Sequence, residues 1–147
     1  MVSKTKIVLI LACLLLTALP LAAKRKKGEP DQVVVQHILI GFKKSLPGRT
    51  LERSRKQARA LAESLLARAE EGEDFDALVK EYTDDQYPGK YLMINDEVKQ
   101  VRGATKRSSM VARFGDVAFS LEVDQVDMAA HHAALSPFGW HIIKRLE

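Results

Sequence analysis

Two stretches of the chain are apolar on both faces. Val33–Ile40 reads Val-Val-Val-Gln-His-Ile-Leu-Ile, and Phe138–Glu147 reads Phe-Gly-Trp-His-Ile-Ile-Lys-Arg-Leu-Glu. β-Branched residues dominate both, as in central strands covered on each side. Each holds one histidine in mid-run, His37 and His141. Alternation puts His37 on a face with Val35 and Leu39, and His141 on a face with Gly139 and Ile143. A polar ring in such a run needs a hydrogen-bond partner or it costs stability. If the two strands are neighbours, each histidine can serve the other. The same burial argument fits a purely structural cross-strand pair.

Between these strands the period changes. Ala58, Leu61, Ala62, Leu65 and Ala69 recur at helical spacing as far as Glu71. Thr50 is the expected N-cap of this helix, Glu52 suits its first turn, and Gly72 is its stop. Asp74 is expected to cap a second helix, with Phe75, Leu78, Val79 and Tyr82 on its apolar face. Each helix has a single stripe, so both are expected to lie on the sheet. Tyr91–Ile94 predicts a short strand and Asp96–Ser109 an enlarged polar loop. Met110–Leu121 predicts a helix with Met110, Phe114, Val117, Ala118 and Leu121 on one side. Glu122–Gln125 reads as a polar turn and Val126–Ala130 as a strand. Ser136-Pro137 leads into the last strand, where Gly139 allows close backbone approach before His141.

Composition changes this picture mainly at the N-terminus. The 147 residues, 46% hydrophobic, suit one domain plus an extension. Lys4, Lys6 and Lys24–Lys27 account for much of the formal charge of +4; from Asp31 onward 17 basic residues face 18 acidic ones. A nearly neutral domain argues against nucleic-acid binding. Cys13 is the sole cysteine and lies in the N-terminal apolar run, so the domain has no disulfide, thiol nucleophile or Cys-based metal site. His131 and His132 are adjacent and would face opposite ways on a strand, which suits surface residues better than metal ligands. No metal and no cofactor are expected.

Lys4 and Lys6 precede the apolar run Ile7–Ala23, which ends Leu19-Pro20-Leu21-Ala22-Ala23. This reads as a signal peptide cleaved after Ala23. An uncleaved membrane anchor through residues 7–23 and lipidation at Cys13 are the alternatives. The Lys24–Lys27 run opposes translocation of the residues C-terminal to it, or is a solvated linker. The expected division is residues 1–23 as signal peptide or anchor, 24–31 as basic linker and 32–147 as the domain. The expected location is exported or periplasmic, with membrane anchoring as the alternative.

Five segments, in order, resemble the parvulin-type peptidyl-prolyl isomerases. They are His37-Ile-Leu-Ile40, Gly72–Leu78, Glu81–Asp85, Met110–Leu121 and Phe138–Lys144. The resemblance implies an α+β fold of the parvulin (FKBP-like) kind: a four-stranded antiparallel sheet with about three surrounding helices. It implies cis/trans isomerisation of X-Pro bonds in proline-containing polypeptides, unfolded or newly exported; the sequence itself gives no sign of an oligomer, and a monomer is expected. It implies that His37, Asp85 and His141 form the catalytic group. Met110 and Phe114 would then line the proline pocket, and Ser136 would bond to the histidine network. On the residues alone, Asp84-Asp85 can equally solvate a loop, and Met110 and Phe114 can equally be core. Gln86–Ser109 departs from the family, which carries a Gly-Gly-Asp-Leu-Gly segment there. Substrate preference and one pocket wall are therefore open. The basic loop Gly41–Arg49 is similar to one that some parvulins use to select acidic residues before proline; a solvated face is the plainer reading. The rival functions are a non-catalytic chaperone or peptide-binding module, and a membrane-tethered interaction domain using Lys24–Lys27.

Overall fold

The computed structural model describes residues 25–147. The expected signal peptide, anchor and lipidation site lie outside the described residues. Among the described residues, no helix is long and apolar enough to cross a membrane.

The chain forms β1 (Gln32–Ile40), α1 (Arg55–Glu70), α2 (Phe75–Tyr82), β2 (Lys90–Ile94), β3 (Ala104–Lys106), α3 (Ala112–Ser120), β4 (Val126–Ala129) and β5 (Trp140–Arg145). The sheet order is β3-β2-β1-β5-β4. The two doubly apolar stretches, β1 and β5, are indeed neighbours at the centre, paired antiparallel. The expected α+β class holds, but the strand count does not. A fifth strand, β3, runs parallel to β2 at the sheet edge. It comes from the stretch expected to be loop, because three residues, Ala-Thr-Lys, carry no alternation to read. Its pairing covers the outer edge of β2, whose backbone groups would otherwise be unpaired. Lys106 donates to the carbonyls of Asp96 and Val98, closing the connecting loop.

The sheet has a different cover on each face. Ile38, Ile40, Trp140 and Ile142 pack against Ala58, Ala62 and Leu65 of α1 and Phe75, Leu78 and Val79 of α2. Val33, Val35, Met93 and Ile143 pack against Phe114, Ala118, Phe119 and Leu121 on and just after α3. Both predicted single-stripe helices thus lie on one face, leaving the histidine face to α3.

Helix starts differ from expectation in two places. Ser54, not Thr50, caps α1. Its hydroxyl accepts from the Gln57 N–H (3.2 Å) while Gln57 Oε1 accepts from the Ser54 N–H (2.7 Å). Such a capping box needs Glu or Gln three residues on; Thr50 is followed there by Arg53. Met110 precedes α3 in extended backbone, its N–H bonded to the Arg107 carbonyl (3.1 Å). Asp74 caps α2 as expected, accepting from the Ala77 N–H.

Glu29–Asp31, assigned to a basic linker, pack onto the domain. Arg107 is 1% exposed and binds Glu29 Oε2 (2.6 Å), Asp116 Oδ1 (2.9 Å) and Asn95 Oδ1 (3.2 Å), with Phe119 beneath its guanidinium. Asn95 also bonds the carbonyls of Pro30 and Asp31. A polar stretch gives no apolar signal of burial, so this ionic core was invisible to periodicity.

Candidate active site

His37 lies opposite Ile143 and His141 opposite Leu39, so the two histidines are diagonal neighbours on one face. Their Nδ1 atoms are 3.3 Å apart, with ring planes within 13°. Both rings are almost fully buried, at 2% and 5% exposure. One proton serves the Nδ1–Nδ1 contact. Asp85 Oδ2 stands 3.2 Å from His37 Nε2, off the line of a hydrogen bond. The tautomer that fits both contacts has His37 Nε2–H beside the carboxylate and His141 Nδ1–H donating to His37. His141 Nε2 is then a bare, buried acceptor without a partner among the described residues. Burial pushes the His141 imidazole down to about 3; the neighbouring His37 adds to this and Asp85 opposes it. The contact with His37 holds the Asp85 carboxyl below its usual range, against the upward push of its own burial. The site therefore presents a neutral His141 and an ionised Asp85 near neutrality.

Adjacent acids do different work. Asp84 Oδ2 accepts from the Gly41 N–H (2.7 Å) and pairs with Arg53, tying the end of α2 to β1. Thr83 Oγ1 accepts from the Leu39 N–H (3.1 Å). This anchorage delivers Asp85 to the His37 ring. The loop continuing from Asp85 returns to His37 at Gly89, whose carbonyl accepts the His37 N–H (3.0 Å). Gly89 has φ +63°, and a Cβ there would sit 2.9 Å from the His37 carbonyl oxygen and 3.1 Å from ring carbon Cδ2. From below, Gln36 Nε2 donates to Asp76 Oδ1 (2.7 Å) and the Pro88 carbonyl (2.9 Å), and Tyr87 OH donates to Asp76 Oδ2 (2.9 Å). One short loop thus contacts the Nε2–Cδ2 edge of His37 at both of its ends.

Beside the imidazoles is a cavity of about 280 Å³. Phe114 is wholly buried and presents edge-on geometry to both rings, 5.2 Å from His37 and 5.4 Å from His141, each at 85°. Met110 supplies a further wall. The structure therefore brings His37, Asp85, His141, Met110 and Phe114 together. It does not bring Ser136. That hydroxyl is buried and donates to the Gly139 carbonyl (3.1 Å), shaping the turn before β5 and reaching neither imidazole. Gly139 has φ +145°, and a Cβ on it would lie 2.1 Å from the Ile40 carbonyl oxygen.

Leu39, Leu46, Tyr91, Val111 and Phe138 also line the cavity and were not singled out from the sequence. Leu39 could have been, since it shares the face of His37. Tyr91 becomes visible once β2 is paired with β1, opposite Val35; it lies 5.4 Å from the His37 ring. Burial, with the Asp85 charge adding, raises its phenol above the usual range. Leu46 sits in an aperiodic loop and gave no signal. His131 packs between Phe42 and Trp140, and His132 Nδ1 accepts from the Ala134 and Leu135 N–H groups. Among the described residues, no three His, Cys, Asp or Glu side chains are grouped to hold a metal.

The family model described as the PPIC-type PPIase domain matches residues 21–147. Chaperone SurA of Chromohalobacter salexigens is 33% identical over 123 residues, covering 81% of this chain and 24% of that protein. The chain thus spans about a quarter of that relative's length. Two solved structures share the fold. The peptidyl-prolyl isomerase ESS1 from Candida albicans is 22% identical, with TM-score 0.57 over 80% of this chain and 63% of that one. TbPIN1 is 18% identical, with TM-score 0.56 over 80% of this chain and 98% of that one. On the match over residues 21–147, the chain belongs to the PPIC-type peptidyl-prolyl isomerase, or parvulin, family.

Proposed function

We propose that the domain catalyses cis/trans isomerisation of X-Pro bonds in polypeptides, using His37, His141 and Asp85 with the Met110–Phe114 pocket. The observation that carries this reading is the ionised Asp85 and neutral His141 set beside an apolar cavity. A planar amide owes its rotational barrier of about 18–20 kcal/mol to C–N double-bond character, which places negative charge on the carbonyl oxygen. Twisting removes that charge. Phe114 and Met110 offer the proline ring, which has only apolar surface and no N–H, a matching wall. A carbonyl seated beside the Asp85 carboxylate meets negative potential. That environment disfavours the planar amide more than the twisted one, which is the differential binding that lowers a barrier. No bond breaks, so neither nucleophile nor metal is needed. The apolar Ile7–Ala23 run favours unfolded or newly exported polypeptides as substrates.

The departure from the family at Gln86–Ser109 favours a second reading, a peptide-binding chaperone module without catalysis. The test is an isomerisation assay on the full chain with an X-Pro peptide panel, beside Asp85→Asn. Acceleration that falls at least tenfold in Asp85→Asn supports the isomerase. Peptide binding without acceleration moves the reading to the chaperone module.

A further inference from the structure

Gln36 interrupts an apolar face. Alternation along β1 sets it with Ile38 and Ile40, on the side covered by α1 and α2, and it is 2% exposed. A buried amide there needs partners, and it has two. Asp76 Oδ1 and the Pro88 carbonyl are both acceptors, so the NH2 end of the amide must face them. Asp76 takes a second bond on Oδ2, from Tyr87 OH. Its carboxylate stands in the first turn of α2, where the helix dipole favours an anion. The bonds from Gln36 and Tyr87 hold that carboxyl below its usual range.

These three side chains fasten the start of α2 to the loop that follows its end. Asp85 opens this loop and Gly89 closes it, and both touch His37, one at the ring and one at the backbone N–H. Tyr87 and Pro88 lie between them. Thr83 and Asp84 anchor the N-terminal side of Asp85 on β1. On its C-terminal side the loop is held by the bonds through Gln36 and Asp76. Tyr87 is 52% exposed, so the bond at its tip holds its ring more than burial does. None of the three lines the cavity.

We propose that Gln36, Asp76 and Tyr87 are positioning residues, a clamp that holds the Asp85–Gly89 loop against His37 and so fixes the Asp85 carboxylate beside the imidazole. For its effect on turnover this rests on the isomerase reading. A misplacement of about 1 Å in a reacting geometry can cost on the order of a hundredfold in rate. The clamp touches no substrate, so its loss lowers kcat and leaves KM.

The experiment uses the full chain and the variants Gln36→Leu and Tyr87→Phe. Leucine roughly keeps the buried volume and removes the N–H donors; phenylalanine removes one hydroxyl from a half-exposed ring. The first readout is the Asp85 carboxyl, followed by ¹³C NMR as pH falls. The contact with His37 holds it below its usual 3.8, and release of the loop should return it toward that value. The second is turnover of an Ala-Pro peptide. We expect kcat to fall about tenfold in Gln36→Leu and about threefold in Tyr87→Phe, with KM nearly unchanged. An Asp85 carboxyl that titrates as in wild type in both variants overturns the proposal. So does a KM that rises while kcat holds. If melting shows Gln36→Leu unfolded, Tyr87→Phe decides on the same criteria. If the wild type accelerates no peptide, the isomerase reading fails separately, and the Asp85 titration still decides the clamp: an upward shift supports it and no shift overturns it.

Discussion

Replacing Glu29 by glutamine tests whether the residues before β1 belong to the folded domain. The Arg107 side chain is fully buried and Glu29 nearly so, with their atoms 2.6 Å apart. Burial alone would raise the Glu29 carboxyl; the Arg107 hydrogen bond and charge outweigh this and hold it below its usual value of 4.5. Glutamine keeps the length and an acceptor oxygen but removes the charge. A hydrogen bond to a charged group contributes about 1.5–3 kcal/mol, and breaking a buried ion pair costs about 3–5 kcal/mol. Asp116 remains on Arg107 at 2.9 Å, which softens the loss. We expect Glu29→Gln to destabilise by about 3 kcal/mol, a large share of a domain's usual 5–15 kcal/mol or so. The assay is urea unfolding of the full chain at pH 7 and at steps below pH 4.5. A carboxyl whose folded value is depressed contributes stability above its unfolded value and loses it as pH falls through the folded value. The gap between wild type and Glu29→Gln should therefore be widest at neutral pH and close as acid protonates Glu29. Deleting residues 1–28, which keeps Glu29, should leave stability close to wild type, and deleting 1–30 should reproduce the loss seen in Glu29→Gln. Equal stability at pH 7 within about 0.5 kcal/mol, the range of ordinary surface changes, would refute the reasoning. So would a gap that acid does not narrow.

Other outcomes rest on the same geometry. Gly139→Ala, with a Cβ 2.1 Å from the Ile40 carbonyl oxygen at φ +145°, should cost at least about 3 kcal/mol; thermal melting that matches wild type would contradict this. The His141 imidazole, held to about 3 chiefly by burial, should show ¹⁵N signals that do not titrate between pH 8 and pH 4; a neutral-range transition there would show that the ring is not desolvated as the structure has it. Met110→Ala should raise KM for X-Pro peptides several-fold with little change in melting temperature. Met110 is half-buried and lies outside α3, and an unchanged KM would remove it from the proline wall.

Local and non-local physics separate cleanly along this chain. Within Val33–Ile40, alternation alone put His37 with Val35 and Leu39, because a two-residue period is a property of any strand. The stripes of α1 and α2 and the cap at Asp74 were legible for the same reason. The strand positions of both histidines were therefore determined by sequence, and resemblance supplied the roles proposed for them. Register was not determined locally. Pairing Leu39 with His141, not His37 with His141, sets the Nδ1 atoms 3.3 Å apart, and a slip of one residue would send one ring to the opposite face. Ser136 was misplaced because its hydroxyl found a nearer acceptor in the turn it stabilises, the Gly139 carbonyl. Leu46 and Phe138 became neighbours through one bond from Ser45, 93 residues away from Phe138 in the chain. Arg107, β3 and Glu29 lay in polar stretches whose burial depends on partners from three separate segments. Periodicity reports which face a side chain takes; only the closed fold decides which charges, rings and loops meet there.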